Sequence, residues 1–289
     1  MDISAIGLIV LAYRHLFHAG NFADVFKHAL LVQLALSLGR KDKPFLYLDS
    51  HAGIGRYDLN HAWARKNGEY RNGIARIFSR TDCPDALRPY LEAVHEENPD
   101  GQLRFYPGSP GLVRRLLRDT DRMALAELNR ADCERLQNEF AGDRQVQVRN
   151  MDGYQALKAF LPPQERRALT LVDSSFDRAN EFRRIADGLA VACDRFATGV
   201  YAIWYPLMDG TAARGFERRI SDSGLRKLLK LELSVRPGTW TDGMRGCAML
   251  VVNPPYEFDK TALPLLHWLW KALSIDGGGR YQVKWLVGD

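Results

Sequence analysis

Between Met123 and Pro206 the chain repeats one unit, a short apolar run followed by a helical segment. MALAEL (123–128) leads into ADCERLQNEFA, QVQVRN (145–150) into GYQALKAFL, LTLVD (169–173) into ANEFRRIADGLAVACDRF, and VYAIWYP (200–206) closes the series. Such runs are the length of buried strands, and strands alternating with helices build a parallel sheet covered on both faces. The same order begins earlier. NFADVFKHALLVQLALSLG (21–39) reads as a helix with Asn21 as N-cap, Asp24 in the first turn and Gly39 after the last turn. FLYLD (45–49) is a short buried strand, and Gly53 and Gly55 turn the chain after it. Ser109 before Pro110 reads as an N-cap with proline at the first helical position. Near the end the style changes. LLKLELSVRP (228–237) and CAMLVVNPP (247–255) are joined by too short a connection for a parallel crossover, so they form an antiparallel pair. TALPLLHWLWKAL is a helix and YQVKWLV a last strand.

Residues 57–104 are polar, rich in Arg and Lys and patterned in helical pieces, which sets them apart as an insertion. A chain of 289 residues suits one large domain carrying such an insertion, and 46% hydrophobic with 26% charged residues excludes disorder as the main state. Cys83, Cys133, Cys193 and Cys247 contain no C-x-x-C, so no zinc site or redox pair is signalled. No metal is expected. The N-terminus lacks a basic leader, and no window reaches the roughly 20 apolar residues a membrane span requires. A soluble, cytoplasmic and monomeric protein with no membrane partner is the expectation.

Four successive strands end in acids: Asp49, Glu127, Asp152 and Asp173. In a parallel sheet all four fall on one edge, where ligands bind in such folds. Each acid alone also reads as a turn or helix cap, Asp152 before Gly153 above all. Together they suit a nucleoside without phosphate: one acid for both ribose hydroxyls, one for an adenine amino group. The full G-x-G-x-x-G of a dinucleotide site is absent at Gly53-Ile54-Gly55, and S-adenosylmethionine is a ligand of the remaining kind. The acid after the fourth strand has a specific use in methylating an exocyclic adenine amine. That nitrogen is a poor nucleophile because its lone pair is delocalised into the ring. An acidic side chain and a backbone carbonyl that hold both N–H groups favour a more tetrahedral nitrogen, which is catalysis by positioning and electrostatics. An aromatic two or three residues on can stack the base. Asp173 and Phe176 have these types and this spacing.

YRHLFHAGNFADVFKH (13–28), YLDSHAGIGRY (47–57), YPGSP (106–110), AEL (126–128), MDG (151–153), LVD (171–173), ATGVYAIWYP (197–206) and VVNPP (251–255), in this order and spacing, closely resemble the bacterial 23S rRNA adenine-N6 methyltransferase J family. The resemblance runs from about Tyr13 to the C-terminus. It implies an α/β, Rossmann-like class I S-adenosylmethionine-dependent methyltransferase fold. Its sheet would be mainly parallel and seven-stranded, with an antiparallel C-terminal strand. Residues 1–56 and 105–289 would form this domain and 57–104 a helical insertion subdomain. It also implies S-adenosylmethionine as cofactor and one adenine of 23S ribosomal RNA as substrate. Carried over by motif, Lys27, His28 and His51 would lie near the methionine part of the cofactor and Ser109 would open the helix after the insertion. Glu127 would hold the ribose, Asp152 and Gly153 the adenine ring. Asp173 would be the catalytic acceptor beside the cofactor, Phe176 the stacking ring, and Tyr13 a contact to the substrate base or a gate of the site. By pattern alone Lys27 is an exposed helix residue, and His15 and His18 are structural.

Two departures stand out. The family's Asp-Pro-Pro-Tyr is here Asp173-Ser174-Ser175-Phe176, which loses both φ-fixing prolines and one hydroxyl. Retained activity is the reading, against a decayed enzyme that still binds nucleic acid, for example in the use of external DNA. A DNA adenine methyltransferase shares the same amine chemistry. NPPY (253–256) has the better spelling but belongs to the antiparallel strand, whose end falls on the opposite edge, so it reads as a structural turn. Ten residues also precede Leu11, and Val10 is the expected true start. Basic residues gather at Arg65, Lys66, Arg71, Arg76 and Arg80, and at Arg214, Arg218, Arg219, Arg226, Lys227 and Lys230, as candidate phosphate contacts or solvated helix faces.

Overall fold

The computed structural model describes residues 15–208, 211–275 and 277–288; Tyr13, residues 1–9 and Val10 lie outside them. In chain order the elements are α1 (Phe22–Gly39), β1 (Leu46–Asp49), β2 (Arg56–Asp58), α2 (Ala62–Asn67), α3 (Arg88–Glu96), β3 (Phe105–Pro107), α4 (Ser109–Arg114), β4 (Arg122–Glu127), α5 (Arg130–Glu139) and β5 (Val146–Asn150). Then come α6 (Gly153–Phe160), β6 (Ala168–Val172), α7 (Glu181–Arg195), β7 (Val200–Leu207), α8 (Thr211–Ser221), β8 (Leu228–Ser234), β9 (Gly246–Val252), α9 (Phe258–Leu273) and β10 (Arg280–Val287). Asn21 caps α1, its side chain accepting from the Ala23 and Asp24 amides at 2.9 Å. Gly39 is the last helical residue rather than the one after it. By length and composition α1 could cross a membrane, but Val25, Phe26, Leu30, Leu31 and Leu34 are fully buried and it packs against α3, α4 and α9. Its apolar residues point in every direction because the helix is covered on nearly every side, and its Asp24, Lys27 and His28 are buried with them.

The sheet runs β10-β8-β9-β7-β6-β1-β4-β5. β5, β4, β1, β6 and β7 pair in parallel. β9 is antiparallel to both β7 and β8, so β8 points with the parallel set, and β10 is antiparallel to β8. The Rossmann-like α/β architecture and the β8–β9 pairing are as the sequence led one to expect. The strand count is not: among the described residues this sheet has eight strands, and β9 runs antiparallel within it besides the expected antiparallel C-terminal strand, β10. Without β10, β8 would present a bare row of backbone donors and acceptors. β10 covers it and carries Arg280 and Lys284 on the new, half-exposed edge, charges that discourage further pairing.

Side-chain alternation on β1 sorts the core. Leu46 and Leu48 face the cluster formed with α6, α7 and α8, whereas Phe45 and Tyr47 face the cluster around α1, α4 and α9. Asp49 therefore points to the α1 and α4 side. The stretch between the paired strands β2 and β3 holds α2, α3 and short 3-10 turns, and its Ile74, Ile77, Tyr90 and Leu91 join the core around α1. The topology also fixes where a ligand can enter. From β1 the chain moves to β4 and β5 on one side and then returns to β6 on the other, which opens a crevice at the carboxyl ends of β1 and β6.

Candidate functional site

Lys27, His28, His51, Ser109, Glu127, Asp152, Gly153 and Asp173 all line one cavity at that crevice. Glu127 ends β4 and is held from two sides: its Oε2 accepts from the Gly53 amide at 3.0 Å and its Oε1 from the Asn129 amide at 2.7 Å. Each oxygen keeps a lone pair for a further donor. Burial pushes its carboxyl up to about 7, against these two hydrogen bonds. Asp49, the first acid of the series, is not in the cavity wall. It is fully buried, and its Oδ2 accepts from the Tyr47 and Ser109 hydroxyls, both at 2.7 Å. Burial pushes this carboxyl up to about 6, with the Ser109 and Tyr47 hydroxyls opposing.

Ser109 differs from the sequence reading for the same reason. α4 starts at Ser109 itself behind Gly108, and no side chain caps it. Ser109 sits one place too far into the helix to cap it, and its hydroxyl instead donates to the buried Asp49 carboxyl. Asp152 is both cap and cavity wall. Its Oδ1 accepts from the Tyr154 and Gln155 amides, and Arg184 donates to its Oδ2 at 3.0 Å. Gly153 is required by close approach: a Cβ there would lie 2.2 Å from the Ser50 carbonyl oxygen and 2.8 Å from the His51 ring. His51 is fixed through Ser50, whose hydroxyl donates to the Leu171 carbonyl at 2.9 Å and so accepts from His51 Nδ1 at 2.8 Å. Burial lowers the His51 pKa.

The block at 15–28 builds the wall opposite. Lys27 is buried, not exposed. Its ammonium donates to Asp24 Oδ1 at 2.8 Å and to Asp173 Oδ2 at 2.5 Å. Burial opposes its charge, but these two carboxylates outweigh burial and raise its pKa. Asp24 in turn accepts from the Gly20 amide and pairs with His15 Nε2, both at 2.9 Å. Burial would raise the Asp24 pKa; the His15 ring and the Lys27 ammonium beside it outweigh burial and bring it well below the usual carboxylate range. Next to Lys27, His28 is buried with Nδ1 2.8 Å from the Tyr106 hydroxyl, and burial together with the Lys27 charge lowers its pKa well below the ordinary imidazole value. His18 pairs with Glu69 at 2.9 Å, and His15, besides its bond to Asp24, lines the cavity. Among the described residues no group of three or more His, Cys, Asp or Glu is placed to hold a metal.

Beyond Asp173 the chain makes a tight loop. Phe176 adopts the left-handed conformation (φ 56°), rare for an aromatic residue and costing about 1–3 kcal/mol. Its ring meets Phe182 edge-on at 4.9 Å and Trp204 at 6.0 Å. This puts Phe176 not in the acid-edged cavity but in a neighbouring one, with Phe182, Trp204, Pro206, Met208 and Met244. The two cavities share a wall that includes Lys27 and Asp173.

NPPY lies on the other edge of the sheet. Asn253, at φ 51°, donates to the carbonyls of Ala197 and Gly199 just before β7, both at 2.8 Å, and Tyr256 is 90% exposed. The basic clusters are partly spoken for. Arg76 donates to the Leu273 and Ser274 carbonyls, Arg80 pairs with Asp82, and Lys230 is buried between Glu217 and Glu232. Lys230 is thus removed from the phosphate candidates. Sequence reasoning missed Asp24, Tyr106, Glu181 and Arg184 as supports, since nothing local marks a first-turn acid or a helix arginine as buried against a distant strand end.

A family model described as Ribosomal RNA large subunit methyltransferase D, RlmJ, matches residues 42–287. The chain is similar to the ribosomal RNA large subunit methyltransferase J of Escherichia coli K12, at 43% identity over 280 residues, which are 97% of this chain and 100% of that protein. It is 40% identical over 281 residues to the protein of the same description from Haemophilus influenzae, again 97% of this chain and 100% of that one. Among solved structures it resembles protein LPL1258 of Legionella pneumophila, with a TM-score of 0.87 at 34% identity, covering 92% of this chain and 98% of that one.

Proposed function

This chain belongs to the RlmJ family of ribosomal RNA large subunit methyltransferases, and we propose that it methylates the N6 amine of a single adenine in 23S ribosomal RNA with S-adenosylmethionine as methyl donor. The observation that carries the reading is the position of Asp173. It lines both the acid-edged cavity and the aromatic one, where a donor in the first and a base in the second would meet.

The residues of the first cavity fit that cofactor. A carboxylate at the ribose end, with lone pairs left on both oxygens, suits hydroxyl donors and repels phosphate. When bound, the cofactor supplies a methyl group activated by a positively charged sulfur. The chain's part is to bind and orient. Lys27 occupies Asp173 Oδ2, which leaves Oδ1 to accept one N–H of the target amine. The Ser174 carbonyl takes the second N–H, and the amine nitrogen turns its lone pair toward the first cavity. Phe176, backed by Phe182 and Trp204, offers its ring to the base. An adenine presented this way is unstacked, as in an RNA loop or hairpin end, because helical RNA hides its base edges in a narrow groove.

The test uses methyl-labelled S-adenosylmethionine with deproteinised 23S rRNA, ribosomes and duplex DNA in separate reactions, for the native protein and Asp173→Ala. Label on N6-methyladenine in 23S rRNA, lost by at least about a hundredfold in the variant, is expected if positioning and electrostatics carry the rate. Label in duplex DNA alone would point to a DNA enzyme. Cofactor binding without transfer to any nucleic acid would point to a binding protein. Incorporation indifferent to Asp173→Ala would remove the assigned role.

A further inference from the structure

We propose that Glu181 is a positioning residue that holds the Asp173–Phe176 loop in its working shape, taking the part that backbone-fixing prolines play in such a loop. The inference rests on the adenine-methylating reading of that loop and concerns what keeps it in place.

Glu181 opens α7 and is only 3% exposed. Its Oε1 accepts from the Ser174 hydroxyl at 2.6 Å and from the Tyr154 hydroxyl at 2.6 Å. Arg184, one turn on, donates to Oε2 at 3.1 Å and to Asp152 Oδ2 at 3.0 Å, with its guanidinium 4.6 Å from the Tyr154 ring centre. One carboxylate thus ties the residue after Asp173 to α6, whose N-terminus forms the cofactor-side wall. The next residue grips the other side of the loop: Phe182 packs edge-on against Phe176. Two consecutive residues of one helix turn therefore hold Ser174 by a charged hydrogen bond and Phe176 by ring packing. The loop requires such a hold. Phe176 is in the left-handed region, Ser175 is exposed with its hydroxyl turned to Asp177, and the chain between Asp173 and α7 has no ladder partner among the described residues. A conformation of this sort persists only where its surroundings over-determine it. A proline would fix the torsion covalently; here a side chain at the start of the next helix fixes it from outside. Glu181 does not touch the reacting amine and acts through Ser174 and its carbonyl.

The experiment compares native protein, Glu181→Ala, Glu181→Gln and the double variant Glu181→Ala with Ser174→Pro. Two readouts are taken: amide hydrogen exchange of the peptide spanning 173–180, with no substrate present, and steady-state methyl transfer to 23S rRNA. In Glu181→Ala, loop exchange is expected to quicken while β1 and β4 stay protected. kcat should fall by about ten- to a hundredfold, the cost of misplacing a reacting group by the order of an ångström, with the KM for cofactor changed less than about threefold. Glu181→Gln keeps an acceptor for Ser174 and should fall between. Ser174→Pro should return part of the lost kcat in the alanine background and slow loop exchange again. Unchanged exchange at 173–180 in Glu181→Ala overturns the proposal, as does a loss shared equally by kcat, cofactor KM and global protection with no recovery by proline. If the native protein methylates no adenine, the functional reading fails, while the exchange measurement still decides whether Glu181 holds the loop.

Discussion

Glu127 gives the most quantitative handle on the cofactor site. Burial raises its carboxyl from an ordinary 4.5 to about 7 in the free protein. The sign follows from proton counting. Between these two values the folded protein binds a proton that the unfolded chain has lost, so this group favours folding below 4.5 and the benefit disappears as pH rises through 7. The gap amounts to roughly 3–4 kcal/mol before solvent screening, which reduces it for a partly exposed group. A ligand whose hydroxyls donate to the ionised carboxylate favours the charged form, so below about pH 7 binding expels the proton at a cost in affinity. With a free-state value near 7, the dissociation constant of S-adenosylmethionine should tighten by roughly tenfold from pH 6 to pH 8 and then level off. About 0.9 proton should leave per cofactor bound at pH 6 and about 0.1 at pH 8. Isothermal titration in buffers of different ionisation enthalpy reads both quantities. Glu127→Gln should flatten the pH profile, which separates this carboxyl from His51 in the same cavity. A dissociation constant constant within about twofold across this range, with proton release below about 0.2 at pH 6, would refute the assignment of Glu127 to the hydroxyl-binding end.

Other expectations follow from single contacts. Gly153→Ala forces a methyl against the Ser50 carbonyl and the His51 ring; it should cost about 1–3 kcal/mol, seen as a melting temperature lowered by several degrees, and weaken cofactor binding measured by calorimetry. The two Asp/Asn-aromatic motifs should part company on substitution. Tyr256→Ala, at the opposite edge, should leave methyl transfer and melting temperature unchanged, whereas Asn253→Ala loses two hydrogen bonds and a tolerated left-handed residue and should cost about 1–3 kcal/mol in denaturant unfolding with kcat kept.

Much of this could be read along the chain. Strand–helix alternation is local, and right-handed crossovers then put the ends of β1, β4, β5 and β6 on one edge, so Glu127, Asp152 and Asp173 could be assigned to one site without coordinates. The same topology argument placed Asn253 on the other edge, because a short connection forces β9 to run backwards. Side-chain direction was less accessible. Asp49 has the right place in the series, yet the alternation along β1 turns it with Tyr47 toward α4, where it takes the Ser109 hydroxyl and leaves the cavity wall. Two things needed the tertiary structure altogether. Lys27 and Asp173 are 146 positions apart, and only the packing of α1 across the end of β6 makes them an ion pair. Ser174 in place of a proline looked like a loosened loop, and only the first turn of α7 supplies the buried Glu181 that holds it. Periodicity and strand–helix alternation are properties of neighbours in sequence, so the sequence determined the parallel strands and the edge on which they end. Burial and partner choice depend on which distant elements meet, and for Asp49, Lys27 and Glu181 that was decided by the packed fold.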